Sequence, residues 1–369
     1  MVDTPSPQNS SSAGLRVAVT GASGNVGTRV VNALGADPRI DTIVGLSRRA
    51  PDTAPPKTTW VTTDLGRAES ESRLTAAFRG VDAVIHLAWL IQPSRDPHTT
   101  WAANVLGSER VLRAVAAARV PQLVYASSVA AYSAGPTSGQ DPPVSESWPT
   151  HGRPTAPYSR EKAYVERLLD GFDARHPEIR VARMRPSFIF QRAAAMEQRR
   201  LFAGPLLPNR LVRRGVVPVV PDIPGLRFQA VHADDVADAF VRAVHAGARG
   251  AFNLAGEGTV RARELALLLD ARTIPVPVRP ARAALGLAWL LRLVPTDPEL
   301  FSALLRLPLM SSARAARELG WHPQFSGAEA VGELLEGLGE GAGGTTPPLL
   351  PRAPGGRWGE FATGVGKRP

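Results

Sequence analysis

Residues 15–27 read LRVAVTGASGNVG, and this stretch decides the fold. The run LRVAVT has the length and apolar composition of a strand covered on both faces. Gly21, Gly24 and Gly27 follow it, and a helical pattern occupies 26–34. A tight turn needs a residue that tolerates positive φ, which glycine supplies. A missing side chain lets the backbone approach a pyrophosphate, and the free N–H groups of a helix start offer that anion a positive end. Strand, glycine turn and helix in this order point to a dinucleotide phosphate site built by Gly21, Ser23, Gly24, Asn25, Val26 and Gly27, in preference to a plain structural turn.

Outward from that loop the first half of the chain alternates strand and helix signals. Further strands are expected at 41–46, 58–63, 82–88, 122–128 and 179–184, with helices at 69–78, 99–118 and 155–172. Thr155 is the expected N-cap of the last helix, with Pro157 in its first turn. Apolar strands separated by helices imply an α/β fold, a Rossmann-type doubly wound parallel sheet whose ligands sit beyond the carboxyl ends of the strands. Regular alternation weakens after Arg185. The expected organisation is a disordered leader over 1–14, a dinucleotide-binding domain over 15–184, a smaller C-terminal substrate-binding lobe mainly over 185–338, and a Gly/Pro-rich disordered tail over 339–369. Residues 134–157 read as a loop.

The charge of +10 raises nucleic acid as a partner. Only Lys57, Lys162 and Lys367 are lysines, and the arginines are scattered, so a compositional bias explains the charge and no nucleic-acid partner is expected. The chain has no cysteine, which excludes disulfides and thiolate metal sites; no metal is expected, and a cytoplasmic location fits. The leader lacks the order of a signal peptide. The longest apolar stretch, 283–294 (AALGLAWLLRLV), is too short to span a bilayer and reads as a buried helix, with membrane-surface contact the second reading. No membrane partner is therefore expected.

Strand two ends in Ser47-Arg48-Arg49. A carboxylate there would bind a ribose 2′-hydroxyl, whereas arginine accommodates a 2′-phosphate. Ser47 and Arg48 therefore favour NADP(H), with NAD(H) the alternative and plain solvent exposure the structural one.

Tyr158-Ser159-Arg160-Glu161-Lys162 is a sharper signal. Residues i and i+4 share a helix face. With four tyrosines in the chain, chance supplies this spacing only ~0.03 times, against ~0.3 for the glycines. A lysine ammonium favours the phenolate, so Lys162 is expected to lower the Tyr158 pKa and make the phenol an acid–base at a carbinol or carbonyl. Glu166, one turn on, could pair with Lys162 and reads as helix support. Ser128 at the end of strand five can bond the substrate oxygen, with Ser127 the competing candidate.

Together these residues resemble the extended short-chain dehydrogenase/reductase superfamily, in particular the NAD-dependent epimerase/dehydratase group. The resemblance runs over about 15–335 and rests on GASGNVG, Asp64-Leu65, HLA at 86–88, SSVAAY at 127–132, YSREK, Arg185-Pro186, VHADDVADA at 231–239 and RELGWHP at 317–323. It implies that Asp64 and Leu65 contact adenine, that Leu87 and Ala88 lie along the nicotinamide, and that Ser128, four residues before Tyr132, is the catalytic serine. It further implies that Tyr158 and Lys162 are the active-site pair, the lysine also holding the nicotinamide ribose. Asn104 matches a structural position. A homodimer through the 99–118 and Tyr158 helices is implied as well. Members acting on nucleotide-sugars often carry arginine where this chain has Phe228, and Arg227 would have to shift one place to replace it. The substrate is thus sugar-like or a smaller, more apolar ketone or aldehyde. The reaction is oxidation–reduction, epimerisation (an isomerase outcome) or dehydration. The rival of another class is a non-catalytic dinucleotide sensor or assembly protein.

Overall fold

The computed structural model describes residues 14–136, 141–352, 355–362 and 365; the leader lies outside them except for Gly14. The first half runs β1 (Leu15–Thr20), α1 (Asn25–Ala36), β2 (Ile40–Ser47), β3 (Thr58–Thr62), α2 (Ser70–Phe78), β4 (Ala83–His86), α3 (Pro97–Trp101), α4 (Gly107–Ala117) and β5 (Gln122–Ala126). Then come α5 (Pro157–Arg175), β6 (Arg180–Pro186), β7 (Phe188–Phe190), α6 (Ala195–Gln198), β8 (Val219–Asp222), β9 (Ala230–His232), α7 (Ala233–His245) and β10 (Gly250–Leu254). The last elements are α8 (Ala262–Leu269), β11 (Arg272–Pro275), α9 (Val278–Leu290), α10 (Pro298–Leu304), α11 (Ala313–Leu319), α12 (Gly327–Glu340) and α13 (Gly356–Ala362).

Seven strands form one parallel sheet in the order β10-β6-β5-β4-β1-β2-β3. The order reverses at β1, where β4 and β2 flank it, which is the switch point at which a doubly wound sheet opens a crevice. The period-two rule places alternate side chains on opposite faces. Val17 and Val19 of β1 join the core shared with α1 and α7, whereas Ala18 joins the core beneath α2, α4 and α5.

The 184/185 boundary does not separate the layers. β10 pairs with β6, and α7 packs on α1, so the later half of the chain completes the first sheet. The smaller lobe is built from two short parallel pairs, β7 with β9 and β8 with β11, and from helices including α6, α8, α9, α10 and α12.

Several local readings are corrected. Thr155 is no N-cap: Ala156 precedes α5 without a side-chain cap, and Pro157 at its start has no N–H to satisfy. The 99–118 helix is three pieces, with a π turn at Ala102–Leu106 between α3 and α4. The wider turn buries Asn104, whose amide clamps Leu90 N and O at 2.6 and 2.7 Å. The apolar 283–294 stretch is not a buried helix. No residue of α9 is buried, and Leu287, Leu290 and Leu291 are 56, 74 and 58% exposed. The tail is packed where described: Leu349 is buried, Thr346 donates to Ser23 O at 2.7 Å, and Glu360 pairs with buried Arg199.

Glu166 is the polar centre of the sheet's edge. It is fully buried on α5, accepts from Ser127 at 2.6 Å, and meets Arg185 at 2.9 and 3.0 Å and Arg183 at 3.2 Å. It is thus not Lys162's partner in a surface ladder. Burial alone would raise its pKa, but Arg185, Ser127 and Arg183 outweigh that and bring it down to about 2. Arg185 also donates to Tyr132 at 2.9 Å, and Tyr132 donates to Asn253 of β10 at 2.7 Å. The Glu166 contribution to folding is fully present above the unfolded value of 4.5 and is lost as pH falls towards about 2. Glu166→Gln strands the buried Arg185 guanidinium, while Arg183 keeps Asp170 and Asp173, and is expected to cost about 3–5 kcal/mol. Denaturant melts at neutral pH check the loss, and the acid-side decline of stability should be shallower in the variant.

Candidate active site

The glycine loop leaves β1 and enters α1 at the carboxyl edge of the sheet. Gly21 has φ +72°, and a Cβ on it would lie 2.7 Å from Ala88 N. A Cβ on Gly27 would lie 2.1 Å from Gly21 O. The first glycine makes the turn against strand four, and the last lets α1 close on the loop. Gly24 precedes α1 with no capping side chain, so the helix start has no side-chain acceptor of its own.

Gln191 was not singled out in the sequence. It is fully buried and donates to Asn25 O and Oδ1 at 2.9 and 2.6 Å, while Arg29 donates to its Oε1 at 2.6 Å. The amide thereby ties the loop to the residues after β7. A glutamine within an irregular stretch carries no sequence signal of this kind.

A cavity of about 760 Å3 opens over the sheet edge. Gly21, Ser23, Gly24, Asn25, Val26 and Gly27 line it, as do Ser47, Arg48, Asp64, Leu65, Leu87, Ala88, Ser128, Tyr158 and Lys162. Every residue expected at the catalytic and dinucleotide sites therefore faces one space. Ser47 donates to Arg49 O at 2.8 Å, and Arg48 is exposed at the rim. Asp64 accepts from Gly66 N at 3.0 Å, and Arg110 donates to Leu65 O at 2.7 Å. Asp64 and Leu65 are thus held by their own loop and by α4.

The two candidate serines are held by different partners. Ser127 is bound to Glu166. Ser128 caps the short turn Val129–Ala131, accepting from Ala130 N at 3.1 Å, and its hydroxyl bears on the Tyr158 phenol. Tyr158 sits in the first turn of α5. Lys162, one turn on, is buried and donates to Ala126 O at 2.7 Å. Its ammonium lies 3.5 Å from the Trp89 ring centre and 5.9 Å from that of Tyr158. Trp89 meets Tyr158 edge-on at 6.0 Å, and its indole N–H is buried without a partner. Trp89 also escaped the sequence reading, since it follows HLA as one more apolar residue.

Electrostatically the pair behaves differently from expectation. Burial pushes the Tyr158 phenol above the ordinary 10.0; Ser128 pulls it back in part, and Glu161 adds to the rise. Burial also holds the Lys162 ammonium well below 10.5, against the pull of Glu166 and Glu161. The expected lowering of the phenol by Lys162 is therefore corrected. The ammonium is engaged by a carbonyl and an indole face, so desolvation decides the direction. Glu161 is itself buried, accepting from Thr100 and Asn104 at 2.7 Å each, and burial raises its pKa. His86 is buried between Thr20 and Ser108 at 2.6 and 3.0 Å, and burial holds it neutral with a pKa of about 3.

Beyond Tyr158 the cavity wall is mainly apolar, with Glu197, Gln198, Arg199 and Asp297 among its polar residues. Phe188, Phe190 and Phe228 pack against one another, Phe228 meeting Phe188 edge-on at 5.4 Å. Leu300, Phe301, Leu304 and Leu307 continue the wall. Arg227 does not replace the missing arginine. It is buried, forms two 2.6 Å bonds to Asp141 and donates to Leu307 O at 2.7 Å.

In the cofactor-free chain the phenolate of Tyr158 should form only above 10.0. The difference in ultraviolet absorbance between the unchanged chain and Tyr158→Phe, followed against pH, isolates that group. Adding an oxidised nicotinamide dinucleotide, which is cationic at the ring, should move the midpoint down. A midpoint at or below the ordinary value in the free chain would contradict the burial argument.

The NAD dependent epimerase/dehydratase family matches residues 17–255. A protein of Stigmatella aurantiaca named 4-hydroxy-2-methyl-3-oxo-4-farnesyl-3,4-dihydroquinoline-1-oxide ketoreductase is 32% identical over 176 residues, 48% of this chain and 51% of that protein. The chain thus spans about half the length of that relative. A UDP-glucose 4-epimerase of Mycolicibacterium smegmatis is 27% identical over 346 residues, 87% of this chain and 98% of that protein. The solved UDP-glucose 4-epimerase of Thermus thermophilus, in complex with NAD, superposes with a TM-score of 0.64 at 21% identity, covering 88% of this chain and 99% of that one. That likeness is one of fold.

Proposed function

The chain belongs to the NAD dependent epimerase/dehydratase family, and from that premise we propose that it is an NADP(H)-using oxidoreductase acting on the carbonyl or carbinol carbon of an apolar substrate. The observation that carries this reading is the wall beyond Tyr158. Phe188, Phe228, Leu300, Phe301 and Leu304 line it, and Arg227 is locked onto Asp141. A nucleotide-sugar diphosphate needs unengaged cations or backbone donors at that end, because burying its charge among phenyl and leucyl groups is costly. A ketone or aldehyde on an apolar frame needs only one polar partner at its oxygen.

The residues present fit a dinucleotide. The two glycines leave room that a Cβ would fill, the start of α1 has no side-chain cap, and the Trp89 indole offers a buried donor with no partner. The loop from Gly21 to Gly27 would hold the pyrophosphate, Asp64 and Leu65 the adenine, Ser47 and Arg48 the 2′-phosphate, and Lys162 the nicotinamide ribose. Leu87 and Ala88 would flank the nicotinamide. A nicotinamide bound there would supply the hydride chemistry.

The protein supplies position and a proton. A phenol whose pKa burial holds up keeps its proton at neutral pH, which suits Tyr158 to donate to a carbonyl oxygen as that oxygen gains charge. Ser128, whose hydroxyl already bears on the phenol, donates to the same oxygen. This order favours reduction over an internally recycled epimerisation. The ketoreductase relative is consistent with that direction.

Consumption of NADPH and NADH by the purified chain with medium-chain and cyclic ketones tests the proposal. Tyr158→Phe should lower kcat/KM by roughly 10²–10⁴. Arg48→Ala should raise KM for NADPH and leave NADH unaffected. Turnover of a UDP-sugar with retained NAD, and none of the ketones, would overturn it. Full turnover by Tyr158→Phe would remove the proton-transfer role of Tyr158, and dinucleotide binding with no turnover of any substrate by the unchanged chain would return the non-catalytic reading.

A further inference from the structure

A surface helix ordinarily turns its apolar stripe to the core and its polar face outward. Helix α9 is apolar on both sides: Val278, Ala281, Leu285, Ala288 and Trp289 are half-buried, and its outward side is apolar as well. Ala283, Ala284, Leu287, Leu290 and Leu291 recur at helical spacing or just beyond its end, and all are exposed. Leu293 and Phe202, held beside this segment by the bond from Thr296 to Phe202 O, are 37 and 39% exposed. Contiguous exposed apolar surface of this kind marks a place of contact.

Charge and position choose the occupant. No acidic residue occurs between Asp270 and Asp297, while Arg272, Arg279, Arg282 and Arg292 do. Nearby, Arg95 stacks its guanidinium 3.6 Å from the Trp289 ring centre, on the exposed side of the same helix end. Of the acids near the patch, Glu299 pairs with Arg282, while Asp96 and Asp297 cap α3 and α10, which leaves Arg272, Arg279, Arg292 and Arg95 as the surplus charge. The outward face is therefore leucines framed by arginines, the composition of a helix that lies in an anionic lipid interface. The same hairpin opens the substrate cavity. Leu285 of α9 and Leu300, Phe301 and Leu304 of α10 line it, as do Phe202, Pro295 and Thr296 between the patch and Tyr158.

We infer that α9 rests on an anionic bilayer surface, and that an apolar substrate passes from the lipid along the α9–α10 wall to Tyr158. The second half of this inference rests on the apolar-substrate reading; the first half does not, because it is measured without turnover.

The test is flotation of the full chain with vesicles of phosphatidylcholine alone and of equimolar phosphatidylcholine and phosphatidylglycerol. The chain should float with the phosphatidylglycerol vesicles, less so at high salt. Leu287→Ser/Leu290→Ser/Leu291→Ser should weaken partition by about tenfold or more, and reduction of a short water-soluble ketone should be unchanged. Arg279→Glu/Arg292→Glu keeps every leucine and should abolish the preference for phosphatidylglycerol, which decides the matter should the leucine variant fail to fold. A chain that floats with neither vesicle overturns the inference. So does a leucine variant that binds as well as the unchanged chain, or a sedimentation run in which the unchanged chain is a dimer that the leucine variant dissolves. Lipid binding without reduction of any apolar ketone would leave the surface assignment standing and remove the substrate reading.

Discussion

The placement of Tyr158, Lys162 and Ser128 depends on one buried carboxylate. Glu166 is removed from water on the face of α5 that meets the sheet, and three donors keep it charged there. Ser127 brings the end of β5, and Arg183 and Arg185 bring β6. Through Tyr132 the network reaches Asn253 on β10. α5 is thus fixed in rotation and in height relative to the strand ends. Its preceding turns carry Lys162 and Tyr158, so their distance from Ser128 and from the glycine loop follows from that fixing. Replacing such a cluster with apolar groups can be neutral for stability, but removing one member is costly. Its value here is the single orientation it imposes.

The two lobes meet the cavity with opposite chemistry. On the sheet side, polar residues at the strand ends and on the helices beside them hold one another through short bonds, as in Thr20, His86 and Ser108, or in Asn104, Glu161 and Thr100. On the lobe side the wall is largely phenylalanine and leucine, and Arg227 and Arg199 are taken by Asp141 and Glu360. Between the two stand Tyr158, Lys162 and Trp89. A group that crosses this boundary is desolvated, which is why burial decides the direction of both the tyrosine and the lysine pKa.

Much of the sheet was legible because buried parallel strands are apolar and short, and the glycine loop announces the switch point. The resemblance to the epimerase/dehydratase family, read from a handful of motifs, is borne out by the match over residues 17–255. The readings that failed share a cause. Hydropathy along 283–294 says that a helix forms but not how much of it is covered, and Leu287, Leu290 and Leu291 are left exposed. Spacing places Lys162 near Tyr158 but cannot weigh the cost of burying it, nor foresee the carbonyl of Ala126 and the ring of Trp89 as its partners. The π turn, Gln191 and the packed tail are long-range matters. Asn104 turns inward because Leu90 and Glu161 receive it, and Thr346 finds Ser23 across most of the chain's length.

Trp89 has a consequence outside the chemistry. An indole pressed against an ammonium on one side and a phenol edge on the other is a light-sensitive probe set into the wall where the nicotinamide side of a dinucleotide would lie. Its emission overlaps the absorption of a reduced nicotinamide and not that of an oxidised one. Fluorescence of the unlabelled protein would therefore distinguish the two redox states of whatever it carries, and would follow their exchange in real time without a reporter dye.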